Sequence, residues 1–250
     1  MRYIFQRLGL IRVNYRGKKI PVGAGVFFIF GNTIYYFFLR FFIFDKTNII
    51  ILDKLIFITL IVGFIGFLDD YFDEEIKGFK GHFGELFKGN LSCGVLKAIV
   101  VTFIAILLNL SLTIDTIFLV NVGIIILMTN LFNLMDLRPG RAIKLFIILS
   151  YILLLEKYIF IIYLLPFFII FIFYLPLELK EIYMMGDTGS NLLGVSLAFI
   201  YTLLDNIGAK IFLLIILISL NIVAEFFSFS KIINNNHILN FFDKLGRKFN

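Results

Sequence analysis

Long, nearly unbroken apolar runs recur along this chain, and they limit what it can fold into more than any motif does. They lie near 22–43, 48–68, 95–110, 113–135, 142–155, 158–177, 191–205 and 208–227, separated by short polar breaks. A helix needs roughly 20 mainly apolar residues to cross a bilayer, and no water-soluble core of 250 residues calls for this pattern. With 60% hydrophobic residues and a mean hydropathy of +0.99, the chain reads as an all-α, polytopic membrane bundle of about eight transmembrane helices. It forms a single membrane domain over 1–250: a basic arm at 1–21, a bundle at 22–227 and an amphipathic tail at 228–250. The runs at 95–110, 142–155 and 191–205 are short for a full crossing.

Charge sets the expected orientation. Alternating the eight runs across a membrane sends 18 of the 23 Lys and Arg to one side. These are six in the arm, then Lys77, Lys80, Lys88, Lys97, Arg138, Arg141, Lys144, Lys180, Lys231, Lys244, Arg247 and Lys248. Arg40, Lys46, Lys54, Lys157 and Lys210 fall on the other. The positive-inside rule then places both termini in the cytoplasm; the plasma membrane is the expected location. The net charge of +6 lies beside apolar spans, so the membrane surface rather than nucleic acid is the expected electrostatic partner. The first apolar run lacks a signal-peptidase pattern, and Cys93, the single cysteine, cannot form an internal disulfide. All three long polar loops, 69–94, 136–141 and 178–190, share the basic side.

Each of those loops begins or ends in acids. "GFLDDYFDEE", residues 66–75, closes an apolar run with Asp69 and Asp70, where the negative end of a helix dipole favours cations. A bound cation explains the pair; solvation at the interface is the simpler account of any one acid. In "NLFNLMDLRPGRAIK", residues 130–144, Asn130, Asn133 and Asp136 recur every three residues and share a helical face. Amides there suit a planar base or a sugar, and Arg138 and Arg141 are candidate phosphate donors; an ordinary polar helix end fits equally well. In "MGDTGSNLLG", residues 185–194, Gly186 permits close backbone approach, Ser190 lies near a helix start, and Asp187 stands beside an anion-binding helix N-terminus. Asp, Thr and Ser are also routine N-caps.

Taken together, "GFLDD", "NLFNLMD" and "MGDTGSNLLG", with "KKIPVGAG" at 18–25 more loosely, resemble in order and spacing the polyprenyl-phosphate N-acetylhexosamine-1-phosphate transferases. This family includes phospho-N-acetylmuramoyl-pentapeptide transferase. The resemblance covers roughly 15–230. It implies a Mg2+-dependent enzyme, with Mn2+ as an alternative ion, that moves a sugar-1-phosphate from a UDP-N-acetylhexosamine to undecaprenyl phosphate, releases UMP and serves cell-wall or surface-glycan synthesis such as peptidoglycan. Carried over by residue, Asp187 and Asp69 would hold the metal, and Asp70 would act on the lipid phosphate as base or by positioning it. Asn130, Asn133 and Asp136 would orient the nucleotide. Lys97, in "SCGVLKAI", resembles a lysine facing the phosphates, and a snorkelling interfacial lysine is its bland alternative.

The chain departs from the family pattern in reading "DLRPG" where a second acid is usual. A histidine-rich loop is also missing; His237 and His82 read as solvated. A catalytically silent relative that binds the lipid phosphate or the UDP-sugar is one alternative, a cation or proton transporter another. A homodimer is left open.

Overall fold

A computed structural model describes residues 2–43, 45–72, 93–110 and 115–247. The architecture is all-helical. The main helices are α1 (Arg2–Arg7), α2 (Val26–Arg40), α3 (Lys46–Phe72), α4 (Cys93–Asn109), α5 (Thr116–Met135) and α6 (Arg141–Glu156). After a 3-10 turn at Tyr158–Phe160 come α7 (Ile161–Leu179), α8 (Gly186–Thr202), α9 (Ile207–Phe226), α10 (Phe229–Asn235) and α11 (His237–Lys244). Helices α2 to α9 each overlap one of the eight apolar runs. Four segments are long and apolar enough to cross a membrane: Lys46–Phe72, Thr116–Met135, Tyr158–Leu179 and Ile207–Phe226. Helices α2, α4, α6 and α8 have 15 to 17 residues.

One helix organises the others. Every residue of α8 from Thr188 to Thr202 is buried, and α3 and α5 pack along it from either side. Lipid tails are as apolar as leucine, so helices in a membrane gain little from hiding apolar surface and associate through close van der Waals contact. Close approach here rests on small residues: a side chain at Gly66 of α3 would collide with the backbone of Asp187 and Thr188, and one at Gly194 of α8 with that of Thr129 in α5. Larger residues fill the flanks. Phe146 of α6 lies edge-on or tilted against Phe132, Phe167 and Phe171, while Phe28 of α2 meets Phe171 and Tyr174 edge-on. Helix α9 is the opposite case, with Lys210 and Leu217 its buried residues, so most of its apolar surface faces outward.

The arm expected at 1–21 is folded. Strands β1 (Ile11–Val13) and β2 (Lys19–Pro21) form an antiparallel hairpin whose turn is closed by Asn14, its side-chain oxygen accepting from the backbone N–H groups of Arg16 and Lys18. The hairpin docks on the chain entering α8: Met184 N–H donates to Pro21 O, and the N–H groups of Ala24 and Gly25 donate to Met184 O and Met185 O. Glu181, at a left-handed φ of 57°, accepts from Asn14 and Tyr15 and pairs with Arg16 and Lys18. Its burial raises the carboxyl pKa, but the Tyr15 hydrogen bond and the Arg16 charge outweigh this and hold it below the ordinary glutamate range.

Candidate functional site

Three helices meet at one end of the bundle. Asp69 and Asp70 close α3, Lys97 lies one turn into α4, and Asp187 lies in the first turn of α8. The helix at 191–205 in the sequence reading begins earlier, at Gly186, because its first N–H groups find an acceptor far away in sequence. Asp70 accepts from Asp187 N–H at 2.9 Å, Thr188 N–H at 2.9 Å and the Thr188 hydroxyl at 2.5 Å. It is an N-cap delivered from another helix, and it satisfies donors that a helix start otherwise leaves orphaned. Gly186 makes room for it: its φ is +71°, and a Cβ there would stand 2.5 Å from both Asp70 oxygens. Asp70 and Asp69, adjacent in sequence, thus have different surroundings.

Asp69 turns toward Lys97. The Lys97 ammonium donates to Asp69 Oδ2 at 2.8 Å and also to Asp187 Oδ2, with the three side chains 17%, 18% and 26% exposed for Lys97, Asp69 and Asp187. Two carboxylates from α3 and α8 therefore converge on a single cationic position. Lys97 is a bridging group rather than a lysine reaching out along the membrane surface.

Beside this cluster is a cavity of about 300 Å³ between α4, α5, α8 and α9, lined by Lys97, Asn130, Asn133, Asn191 and Glu225 together with apolar residues such as Val101 and Ile126. Asn130 donates to Asn221 Oδ1 at 2.7 Å, and Ser190, fully buried, donates to Asn133 Oδ1 at 3.4 Å. The Asn191 amide nitrogen is buried with no hydrogen-bond partner among the described residues. In an enclosed site such a donor is costly unless a ligand or water meets it.

Three of the nominated residues lie outside this cavity, although Asp136 still accepts from the Gly186 N–H, next to Asp187. Asp136 does not share the cavity of Asn130 and Asn133: α5 ends at Met135, and Asp136 turns into a separate recess of about 40 Å³ beside Glu178 and Arg138. Burial, reinforced by the Glu178 charge, pushes Asp136 well above the ordinary carboxylate range. Arg138 stacks on the Tyr15 ring at 4.2 Å. Arg141 is buried and bidentate to Asp243, at 2.9 and 3.0 Å. Both arginines thus serve the docking of the arm and tail in this structure. Asp73, Glu74, Glu75 and His82 lie outside the described residues.

Sequence reasoning missed Glu178, Asn191, Asn221 and Glu225. Glu178, 2% exposed, accepts from Gly140 N–H at 2.9 Å. Its signal was present, since it ends an apolar run as Asp69 and Asp70 do. Asn221 and Glu225, four apart on α9, share a face of an apolar helix, and that pattern also marks a lined cavity.

Among the described residues no group of three or more His, Cys, Asp or Glu gathers as a metal cage. The donor set of Asp69 and Asp187 nevertheless fits a hard divalent ion of the Mg2+ type, which is held by one or two carboxylates and takes its remaining ligands from water and substrate phosphate. Compared with protein-family models, with curated proteins and with solved structures, the chain matches none of them.

Proposed function

We propose that this chain is a membrane phosphoglycosyltransferase that moves an N-acetylhexosamine-1-phosphate from a UDP-sugar to a polyprenyl phosphate such as undecaprenyl phosphate. The observation carrying this reading is the convergence of Asp69, Lys97 and Asp187, from three helices, at the edge of an amide-lined cavity. Helices α2 to α9 all cross the bilayer in this proposal, with both termini and the site on the cytoplasmic side of the plasma membrane.

The reaction needs anions brought together. An oxygen of the lipid phosphate forms a bond to the sugar-bearing phosphorus, and the bond from that phosphorus to the bridging oxygen breaks. UMP leaves with the electron pair. Mg2+, or Mn2+ in its place, would be held by Asp69 and Asp187 and would neutralise charge on the diphosphate. Lys97 adds a second positive charge at the same point, oriented by the two carboxylates it touches. Asn130, Asn133 and Asn191 offer amide donors and acceptors for the nucleotide or the acetamido sugar.

Asp70 acts by position. Its carboxylate serves three donors, and a lipid phosphate dianion needs no base to attack. What Asp70 contributes is the aim of Asp187, held through the first turn of α8.

UMP release tests the proposal. Detergent-purified protein with undecaprenyl phosphate, Mg2+ and a panel of UDP-N-acetylhexosamines is expected to release UMP, and the Asp187→Asn variant to release none. Retained binding of UDP-sugar without release from any donor would replace the enzyme with a silent binding protein. A proton or cation flux through reconstituted protein, lost in Asp187→Asn, would replace it with a transporter.

A further inference from the structure

Helix α11 faces the wrong way for a helix in water. Its polar side is turned inward: Asp243 is 7% exposed, paired with Arg141 and with Arg247, and Asn240 is half-buried. Its apolar side is turned outward, with Ile238, Leu239, Phe241, Phe242 and Leu245 each between 45% and 69% exposed. Amphipathic helices on soluble proteins adopt the reverse orientation, because water charges for every exposed apolar side chain.

The inverted orientation is pinned at several points. Arg141 donates to both oxygens of Asp243 and to the Ser230 hydroxyl; Lys144 donates to the carbonyls of Phe242, Asp243 and Leu245; Arg247 donates to Pro139 O. Rotating the helix to hide its phenylalanines would break the Arg141–Asp243 pair and leave buried charges unpartnered.

Two further observations identify what covers the apolar side. Only the short α10 separates α11 from α9, the least buried of the four membrane-length helices, whose end at Phe226 and Phe227 is also exposed, at 77% and 63%. Asp243 is the single acid in residues 228–250, and it is neutralised inward, while Lys231 is exposed. The outward surface of the tail is therefore apolar and basic. That combination complements the boundary between anionic headgroups and acyl chains.

We infer that α11 lies on the surface of an anionic bilayer, with its phenylalanine face in the headgroup–acyl boundary and the Arg141–Asp243 pair clamping it to α6. The clamp ties the 136–140 loop to the membrane through Arg247 and Pro139. This inference rests on the membrane-spanning reading of the bundle and not on the transferase proposal.

The chain contains no tryptophan, so one introduced tryptophan reports alone. Phe241→Trp, Ile215→Trp at mid-α9 and Asn234→Trp are each reconstituted in phosphatidylcholine–phosphatidylglycerol vesicles containing lipid brominated near the carbonyl end or near the methyl end of the chain. Phe241→Trp is expected to emit blue-shifted and to lose most of its intensity to the shallow bromines, with a smaller loss to the deep ones. Ile215→Trp is expected to lose most to the deep bromines, and Asn234→Trp to be quenched by neither. Red-shifted, unquenched emission from Phe241→Trp would overturn the inference by placing the face in water. Blue-shifted but unquenched emission would overturn it in favour of a second copy covering the face. An unquenched Ile215→Trp would overturn the spanning reading itself, a failure distinct from the other two.

Discussion

Replacing Asp70 by alanine should be among the most damaging single changes at the site end of the bundle, although Asp70 is not placed in contact with substrate. The substitution removes one acceptor from three donors: the N–H groups of Asp187 and Thr188 and the Thr188 hydroxyl. Losing an N-cap acceptor costs about 1–2 kcal/mol. A second buried hydrogen bond to a charged group adds roughly 1.5–3 kcal/mol. Removing a 9%-exposed carboxylate relieves its own desolvation, which offsets part of that sum. The net expectation is about 2–3 kcal/mol, or roughly a 30- to 150-fold loss in the folding equilibrium.

Reversible unfolding in mixed micelles, titrated with SDS and followed by far-UV circular dichroism, measures it. Asp70→Asn retains one acceptor oxygen and should recover about half of the loss. Asp69→Ala is the internal control: Lys97 loses one carboxylate and keeps Asp187, so about 1.5 kcal/mol, the low end for one hydrogen bond to a charged group, is expected. If Asp70→Ala proves no more destabilising than Asp69→Ala, the capping argument fails.

Further expectations concern the same end of the molecule. Gly186→Ala should destabilise by roughly 1–3 kcal/mol, because φ is +71° and the methyl would meet Asp70; combined with Asp70→Ala the effect should be less than additive, in the same unfolding assay. Arg141→Met leaves Asp243 to Arg247 alone and should raise hydrogen exchange in α11 by about tenfold or more, while Arg141→Met with Asp243→Leu should restore part of the protection. The pH dependence of α11 has a definite sign. Burial raises the Asp243 pKa, but Arg141 and then Arg247 overcome this and hold it below the ordinary range. A depressed folded pKa lends stability that is complete above the unfolded value of about 3.9 and fades as pH falls through the folded value. Protection of α11 should accordingly be level from about pH 5 to 7 and fall below about pH 4; a midpoint near pH 6 would refute the assignment.

The helices were legible in the sequence for a simple reason. A helix long enough for a bilayer needs a run of apolar residues, and runs of that kind are contiguous in the chain, so α3, α5, α7 and α9 could be located without tertiary information. The carboxylates were legible too, because Asp69, Asp70 and Asp187 stand out where apolar runs start or stop. Their division of labour was not. Asp69 and Asp70 point about 100° apart around α3, and only the arrival of α8 beside one and α4 beside the other makes the first a partner of Lys97 and the second a cap.

The asparagines show the same boundary. Spacing put Asn130, Asn133 and Asp136 on one helical face, yet the helix stops at Met135, and a residue past the last turn no longer follows the 3.6-residue period. Arg138 and Arg141 looked like free donors beside a loop because their partners, Tyr15 and Asp243, lie more than a hundred residues away in the chain. By itself the sequence determined which segments are helical, since that depends on composition within a few turns. Which carboxylate faces which cation, and which way the tail turns its phenylalanines, were decided only by tertiary structure. Those outcomes depend on pairings between distant residues, and each pairing exists only once the helices have packed.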